Sequence, residues 1–344
     1  MPGRDIVVIG GSAGGIEALQ RLTASLPADL PAAVFVVLHT HPTSPGYLPQ
    51  ILARSGPLPA AHAEDGEPIA PGRIYVAPPD HHLLLEDGQT RLTKGPKENR
   101  SRPAVDPLFR SAAYFHGPRV IGVVLSGMLD DGTAGLWTIR DRGGRAVVQA
   151  PEDAQFPSMP ESALRHVQVD YRVPATAMGP VLAGLVAEPV PEREFHVPSE
   201  RLQAETRIAM EDSALGLGIL KLGELSPFVC PECHGALVQL QEGGMLRFRC
   251  HTGHAFSASS LLAMMTESVE ESLWSTMRGI EESAMLLQHL ARHLSETEAG
   301  ELAARFEEKA REIRRRAEQI KQLAFQHEQL SEEQLRSGAA GGPR

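Results

Sequence analysis

The run Gly10-Gly11-Ser12-Ala13-Gly14-Gly15 follows an apolar segment at residues 6–9 and precedes an amphipathic one that begins at Ile16. Glycines two positions before and two after Ser12 suit a tight strand-to-helix turn, where side chains would collide and a positive φ is wanted. A serine on such a turn projects from the carboxyl edge of a sheet. The backbone N–H groups of the helix start, at Ala13 and Gly14, then face the place where an oxyanion would develop. The chemistry this points to is nucleophilic attack by Ser12 on a carbonyl carbon. A phosphate-binding glycine loop is the competing reading. The dinucleotide fingerprint G-x-G-x-x-G does not fit the glycine spacing, and the second apolar run, residues 33–38, ends in His39 where that motif needs an acid.

His39 supports the nucleophile. Adjacent parallel strands end about 5 Å apart, so a histidine at the carboxyl end of one reaches a serine at the end of the next. His41 competes but precedes Pro42 in the exit loop, and His81 and His82 have no comparable strand-end position. A third member would be a carboxylate at another strand end. Ser126-Gly127-Met128-Leu129-Asp130-Asp131-Gly132 again reads as strand, glycine turn and helix start. Asp130 or Asp131 would orient the imidazole and stabilise its charged form; each also suits a helix N-cap. The order Ser, His, Asp departs from the Ser, Asp, His order of α/β-hydrolases.

The elements needed to hold these residues are legible as an alternation. β-rich runs at 6–9, 33–38, 73–77, 120–125 and 146–149 are separated by amphipathic stretches at 16–26, 48–53, 107–116 and 134–142. Apolar strands between helices predict a doubly wound, mostly parallel α/β sheet covered on both faces. Residues 81–93 carry two β-rich runs about Asp87-Gly88 and predict an antiparallel hairpin. A first domain is thus expected over 1–186, followed by a Glu- and Pro-rich linker over 187–224.

A second chemical constellation lies in a small module expected over 225–257. Cys230 and Cys233 form a C-x-x-C pair, and after sixteen intervening residues come Cys250 and His254. That spacing predicts two knuckles gripping one tetrahedral zinc through Cys230, Cys233, Cys250 and His254, with His251 the runner-up for the fourth place. Residues 237–249 read as two strands about Gly243-Gly244, the layout of a zinc ribbon. Four protein ligands leave no open position, so the metal is expected to be structural. Residues 258–336 then read as an antiparallel helical hairpin. Its stripes are Val269, Leu273, Ile280, Ala284, Leu287 and Phe306, Ala310, Ile313, Ala317, Ile320, Ala324, with Ser295 and Glu298 as a capping box. The Ala-rich positions also suit a second copy of the chain or a signalling partner. Residues 337–344 are expected to be a frayed tail.

Composition narrows the class further. With 42% hydrophobic and 22% charged residues the 344-residue chain reads as globular, and its net charge of −10 argues against nucleic acid as partner. No apolar run is long enough to span a membrane. The N-terminus enters a buried strand without the layout of a signal peptide, and three cysteines suit a reducing compartment; a cytoplasmic location is expected.

Six separated segments resemble the catalytic domain of the CheB protein-glutamate methylesterases: IGGSAGGIEAL around Ser12, VVLHTHP around His39, IYVAPPDHHL at 74–83, RPAVDPLF at 102–109, GVVLSGMLDDGTAGL at 122–136 and MPESAL at 159–164. The resemblance implies Ser12 as nucleophile, His39 as general base and Asp131 as orienting acid, because Asp131 directly precedes the glycine of the pattern G-M-x-x-D-G. It places Met128 at the edge of the site. It implies hydrolysis of γ-glutamyl methyl esters on methyl-accepting chemoreceptor helices, deamidation of glutamines there as a second activity, and no cofactor for catalysis. The family usually has Ala-Ser-Thr where this chain has Gly11-Ser12-Ala13, so a neighbouring hydroxyl is lost. Its best-known members carry an N-terminal receiver, whereas catalytic text starts here at residue 5; control by something other than an internal receiver is expected. The ribbon and helical hairpin are similar to a module appended to some CheB-like proteins without a receiver. A non-catalytic CheB-like scaffold, or a hydrolase of other carboxyl esters, stands as the alternative.

Overall fold

The computed structural model describes residues 3–190, 198–211, 214–296, 300–328 and 330. The tail expected over 337–344, and Glu298 of the expected capping box, lie outside them. The chain divides into two units, residues 1–261 and 262–344.

In the first unit the elements run β1 (Ile6–Gly11), α1 (Gly15–Ser25), β2 (Ala33–Leu38), α2 (Leu48–Ser55), β3 (Ala60–His62), β4 (Ile74–Val76), β5 (His82–Glu86), β6 (Gln89–Thr93), α3 (Val105–His116), β7 (Val120–Val124), α4 (Thr133–Asp141), β8 (Arg145–Gln149), α5 (Ser158–His166), β9 (Tyr171–Val173) and α6 (Met178–Ala187). Seven strands form one parallel sheet in the order β3-β4-β2-β1-β7-β8-β9. Strand side chains alternate between its faces. Val7 and Ile9 pack with α1, α2 and α6, whereas Ile6 and Val8 pack with α3, α4, α5 and Leu83 and Leu85 of the separate β5-β6 hairpin. From β1 the chain moves first to β2 on one side and later returns to β7 on the other. Open α/β sheets bind ligands at such a reversal, beyond the carboxyl ends of the strands that flank it, here β1, β2 and β7.

The segment expected to be a linker contains an ordered helix, α7 (Glu200–Glu211), which packs on α3. A four-stranded antiparallel sheet follows: β10 (Glu224–Val229), β11 (Ala236–Glu242), β12 (Met245–Cys250) and β13 (Ala255–Ser257). Gly243 and Gly244, at φ 55° and 82°, make the β11-β12 turn, and Gly243 lies against the indole of Trp137 on α4. Ribbon, α7 and α3 meet in a buried charge network. Glu98 and Glu205 accept from Arg249 at 2.8 and 3.1 Å, Arg110 donates to both Glu98 oxygens at 2.6 and 2.7 Å, and Arg247 donates to Glu205 and Glu242. Arg110 and Arg249 are fully buried, a position long cationic side chains tolerate only when paired.

The last helices are α8 (Ala258–Glu296) and α9 (Gly300–Gln326). Within the second unit they run antiparallel, with Trp274 edge-on to Phe325 at 5.4 Å and His327 bonded to the Thr266 carbonyl. Ala284 and Ala291 on α8, and Ala303, Ala310, Ala317 and Ala324 on α9, are buried, the last four at seven-residue spacing. Val269, expected on the apolar stripe, is 49% exposed. Ser295 does not cap the second helix: it lies inside α8 and its hydroxyl donates to the Arg292 carbonyl, the back-bonding serine adopts when no free N–H is in reach. No helix among the described residues is long and apolar enough to cross a membrane.

Candidate active site

Ser12 is the first residue beyond β1. Its N–H donates to the Ser126 carbonyl at 2.9 Å, its carbonyl accepts from Gly15, and Gly14 opens α1 in the left-handed region at φ 68°. A side chain at Gly14 would also meet Ser126 Oγ at 2.7 Å. Ser126, buried and overlooked in the sequence, clamps the turn from β7: its hydroxyl donates to the Ala13 carbonyl and accepts from Phe156 N–H. Gly127 stands against Ser12, for a β-carbon there would lie 2.9 Å from Ser12 Cβ and 2.0 Å from Met159 Sδ. Gly127 N–H is engaged by Phe156, whereas among the described residues the N–H groups of Ala13 and Met128, on either side of Ser12, have no acceptor. The Met128 side chain is 53% exposed at the rim.

β2 ends beside β1, with Leu38 opposite Gly11 and His39 N–H donating to the Gly11 carbonyl at 3.2 Å. This register puts His39 at the strand end adjoining that of Ser12. His39 Nε2 lies 2.7 Å from Asp131 Oδ2. Asp131 is ionised, so Nε2 carries the proton and Nδ1 is left as the acceptor nitrogen, the reverse of the serine-protease arrangement. Ser12 Oγ and His39 Nδ1 make no bond to each other in this conformation; such bonds commonly tighten only when substrate is bound. The other histidines are elsewhere. His41 bonds Thr43 and His81 the Pro79 carbonyl, while buried His82 donates from Nε2 to Pro96 and accepts Ala104 N–H at Nδ1. Burial lowers His82 to about 4, which keeps it neutral.

Asp131, 2% exposed, is the best-connected polar group of the site. Besides His39 it accepts Val105 N–H at 2.7 Å, Asp106 N–H at 3.2 Å, Gly132 N–H at 2.9 Å and Asn99 Nδ2 at 2.9 Å. Burial pushes its carboxyl up, but the His39 hydrogen bond and charge, with the Val105 and Asn99 donors, outweigh this and hold it below the ordinary range. Val105 and Asp106 are the first residues of α3, so Asp131 serves as that helix's N-terminal cap in place of Ala104, which has no side-chain acceptor. The neighbouring Asp130 instead accepts Ser257 Oγ at 2.6 Å. Asp106, Asn99 and Ser126 are the functional neighbours that the sequence did not single out. Asp106 and Ser126 lay inside motifs already noted; for Asn99 the only available signal was its place just before one of them.

The cysteines are free thiols clustered with one histidine. Ligand atoms of Cys230, Cys233, Cys250 and His254 all lie within 4.8 Å of one another. Cys233 Sγ is 3.7 Å from Cys250 Sγ, and His254 Nδ1 is 3.7 Å from Cys230 Sγ and 3.6 Å from Cys250 Sγ. Metal–sulfur bonds of about 2.3 Å and metal–nitrogen bonds of about 2.0 Å at tetrahedral angles give edges of about 3.5–3.8 Å, so the donors are already spaced for such an ion. The Cys250 thiol is pushed down to about 2, chiefly by the hydrogen bond from Cys230, whose own thiol is pushed up. His251 does not join them; its ring covers Gly235, where a β-carbon would lie 2.0 Å from it.

Residues 7–182 match the CheB methylesterase family model. A Leptospira interrogans protein provisionally named protein-glutamate methylesterase/protein-glutamine glutaminase is 39% identical over 168 residues, 48% of this chain and 87% of that protein. A Methanosarcina acetivorans protein of the same name, numbered 2, is 38% identical over 183 residues, 51% of each chain. The crystal structure of the Thermotoga maritima CheB methylesterase catalytic domain superposes with a TM-score of 0.52 at 36% identity, covering 54% of this chain and all of that one. With the family model spanning more than half its length, the chain belongs to the CheB methylesterase family.

Proposed function

We propose that the protein hydrolyses γ-glutamyl methyl esters on chemoreceptor helices, with Ser12 as nucleophile, His39 as general base and Asp131 as the acid that orients it. The observation that carries this reading is the His39–Asp131 hydrogen bond of 2.7 Å at the strand end adjoining Ser12. Ser12 Oγ attacks the ester carbonyl while its proton passes to His39 Nδ1. The oxyanion is received by the Ala13 and Met128 N–H groups, both without another acceptor among the described residues. Collapse of the tetrahedral species expels methoxide, which leaves as methanol with the proton from His39. Water then enters, gives a proton to His39 and attacks the acyl carbon, and the proton returns to Ser12 as glutamate is released. A glutamine amide follows the same course with ammonia leaving, which corresponds to the glutaminase part of the relatives' names. The protein's place of action is the cytoplasm, where receptor methylation sites lie and free thiols persist.

The four donors of the ribbon fit zinc, held by Cys230, Cys233, Cys250 and His254. With all four positions filled by protein, zinc supplies folding energy and no chemistry to turnover.

The test is methanol release from methylated receptor membranes, set beside hydrolysis of p-nitrophenyl acetate. Wild type is expected to release methanol and Ser12→Ala to release none at unchanged thermal stability. Methanol release by folded Ser12→Ala would overturn the mechanism, and turnover of the chromogenic ester alone would overturn the substrate.

A further inference from the structure

Asn99 bonds side chains of the candidate site on one side and the ribbon on the other. Asn99 sits in the left-handed region at φ 47°, which asparagine tolerates better than most residues, and is 7% exposed. Its Nδ2 donates to Asp131 Oδ1 at 2.9 Å and Asp106 Oδ2 at 3.0 Å. Its Oδ1 accepts the Ser257 N–H at 2.9 Å and the Ser260 hydroxyl at 3.0 Å. Its backbone is tied to the same strand: Asn99 N–H donates to the Ala255 carbonyl at 2.8 Å and Ala255 N–H to the Lys97 carbonyl. Ala255 directly follows His254, the last of the four metal-spaced donors. The amide that contacts the acid beside His39 is therefore held in place by β13 and the first turn of α8. Ser257 Oγ adds a second tie at Asp130.

We propose that Asn99 is a positioning residue through which the ribbon completes the active site, fixing Asp131 against His39. The proposal rests on the assignment of His39 and Asp131 above. Asp131 Oδ2 is shared between His39 and Val105 N–H, and Oδ1 among Asn99, Gly132 and Asp106 N–H. The Asn99 amide is the one side-chain donor among these other than His39, and the one not fixed by the backbone of α3 or the turn into α4. Withdrawing it turns the carboxylate relative to the imidazole. It also leaves Asp106 and Asp131 facing each other without the shared donor. A ribbon loosened at its knuckle releases β13 and with it Asn99, so the metal site acts on turnover without touching substrate.

Asn99→Asp in the full chain isolates the contact. The new side chain keeps the acceptor that the ribbon uses and places an oxygen where the amide donated. The groups around it are Asp131, Asp130 and His39 at the strand ends and Asp106 on α3. Beyond Asp106 lie Glu98, Arg110 and Arg247, with neutral His82 behind Ala104. At pH 8 the introduced carboxylate is expected to lower kcat about 10- to 100-fold with KM unchanged, in line with the cost of slight misplacement of catalytic groups. Lowering the pH protonates it and restores a donor, so part of the loss is recovered on the acid side, giving a pH profile displaced from wild type. The downfield proton resonance of the His39–Asp131 hydrogen bond is expected to shift or vanish at pH 8. Wild-type kcat, pH profile and resonance in a folded Asn99→Asp would overturn the proposal. Should that variant not fold, Ser260→Ala, which removes the donor that the first turn of α8 gives Asn99, is expected to lower kcat about threefold with the same resonance shift; an unchanged resonance would overturn it equally. Activity in Ser12→Ala would instead overturn the underlying mechanism, whatever the Asn99 variants do.

Discussion

Asp106 and Asp131 each cap the helix that the other one opens. Asp131, just before α4, accepts the first two N–H groups of α3; Asp106, in the first turn of α3, accepts Gly135 N–H of α4 at 2.7 Å. Neither Ala104 nor Gly132, at the two N-cap positions, has a side chain that does this. The exchange locks the loops after β7 and before α3 together, so the acid of the site is held by two helix ends whose partial positive charge favours its ionised form.

Two carboxyls this close cannot both ionise easily. Asp131, with more donors, stays charged, and Asp106 is pushed up to about 8, first by burial and then by the Asp131 charge. The folded chain thus binds a proton at Asp106 that the unfolded chain, near its ordinary 3.8, releases. The stabilisation is complete below about pH 4 and is lost as pH rises through about 8. Urea unfolding of wild type is expected to show stability falling between pH 5 and 8, by up to about 1.4 kcal/mol per unit. Asp106→Asn is expected to remove this contribution; an identical slope in the variant would show that Asp106 is not its source.

The charge network predicts a large cost for losing one carboxylate. Glu205→Gln leaves Arg247 and Arg249 short of a buried counter-ion, and Glu98→Gln does the same to Arg110 and Arg249. Each is expected to destabilise by about 3–5 kcal/mol, read as a fall in the urea midpoint. Burial opposes ionisation of Glu205, but Arg247, Arg110 and Arg249 hold it at about 2. Its contribution is therefore present above about pH 4.5 and lost toward pH 2, a limb that Glu205→Gln is expected to flatten.

Where local rules decide the outcome, the chain was readable. The Gly10–Gly15 turn, the histidine at the end of the next strand and the cysteine spacing are short-range features, and the parallel sheet followed from strand–helix alternation. The three-residue strands β3 and β9 passed unnoticed because so short a run has no periodicity. The Glu-, Arg-rich text of α7 read as linker because charge normally marks surface; Glu205 is buried only because arginines some forty residues later reach it. Asn99 was invisible for the same reason. Its importance lies in partners at 106, 131, 257 and 260, which tertiary structure alone brings together.

Gly127 offers a steric test of the site's tightness. Gly127→Ala places a methyl group within 3 Å of Ser12 Cβ and of Met159 Sδ, and the Gly127 backbone is pinned by bonds to Phe156 and Met159. The thioether can yield, since methionine is flexible, but the nucleophile turn, held by Ser126, cannot follow without leaving its register. Esterase kcat is expected to fall about 100-fold while the urea midpoint drops only modestly. Unimpaired methanol release would mean that Ser12 is not held in place by this contact.

The ribbon's apolar core is small: besides two cysteines, Leu237, Val238, Leu240, Phe248, Ala255 and Phe256 are its buried members among the described residues. So little buried surface leaves much of its folding energy to the metal. Purified protein is expected to carry about one zinc per chain. Removing it with a chelator is expected to lower the melting temperature and expose the three thiols to Ellman's reagent. Cys233→Ser and His254→Ala are expected to lose bound zinc, because each removes one of the four spaced donors. His251→Ala is expected to keep full zinc content and lose only the packing over Gly235. Zinc loss in His251→Ala together with retention in His254→Ala would assign the fourth ligand to the wrong knuckle residue.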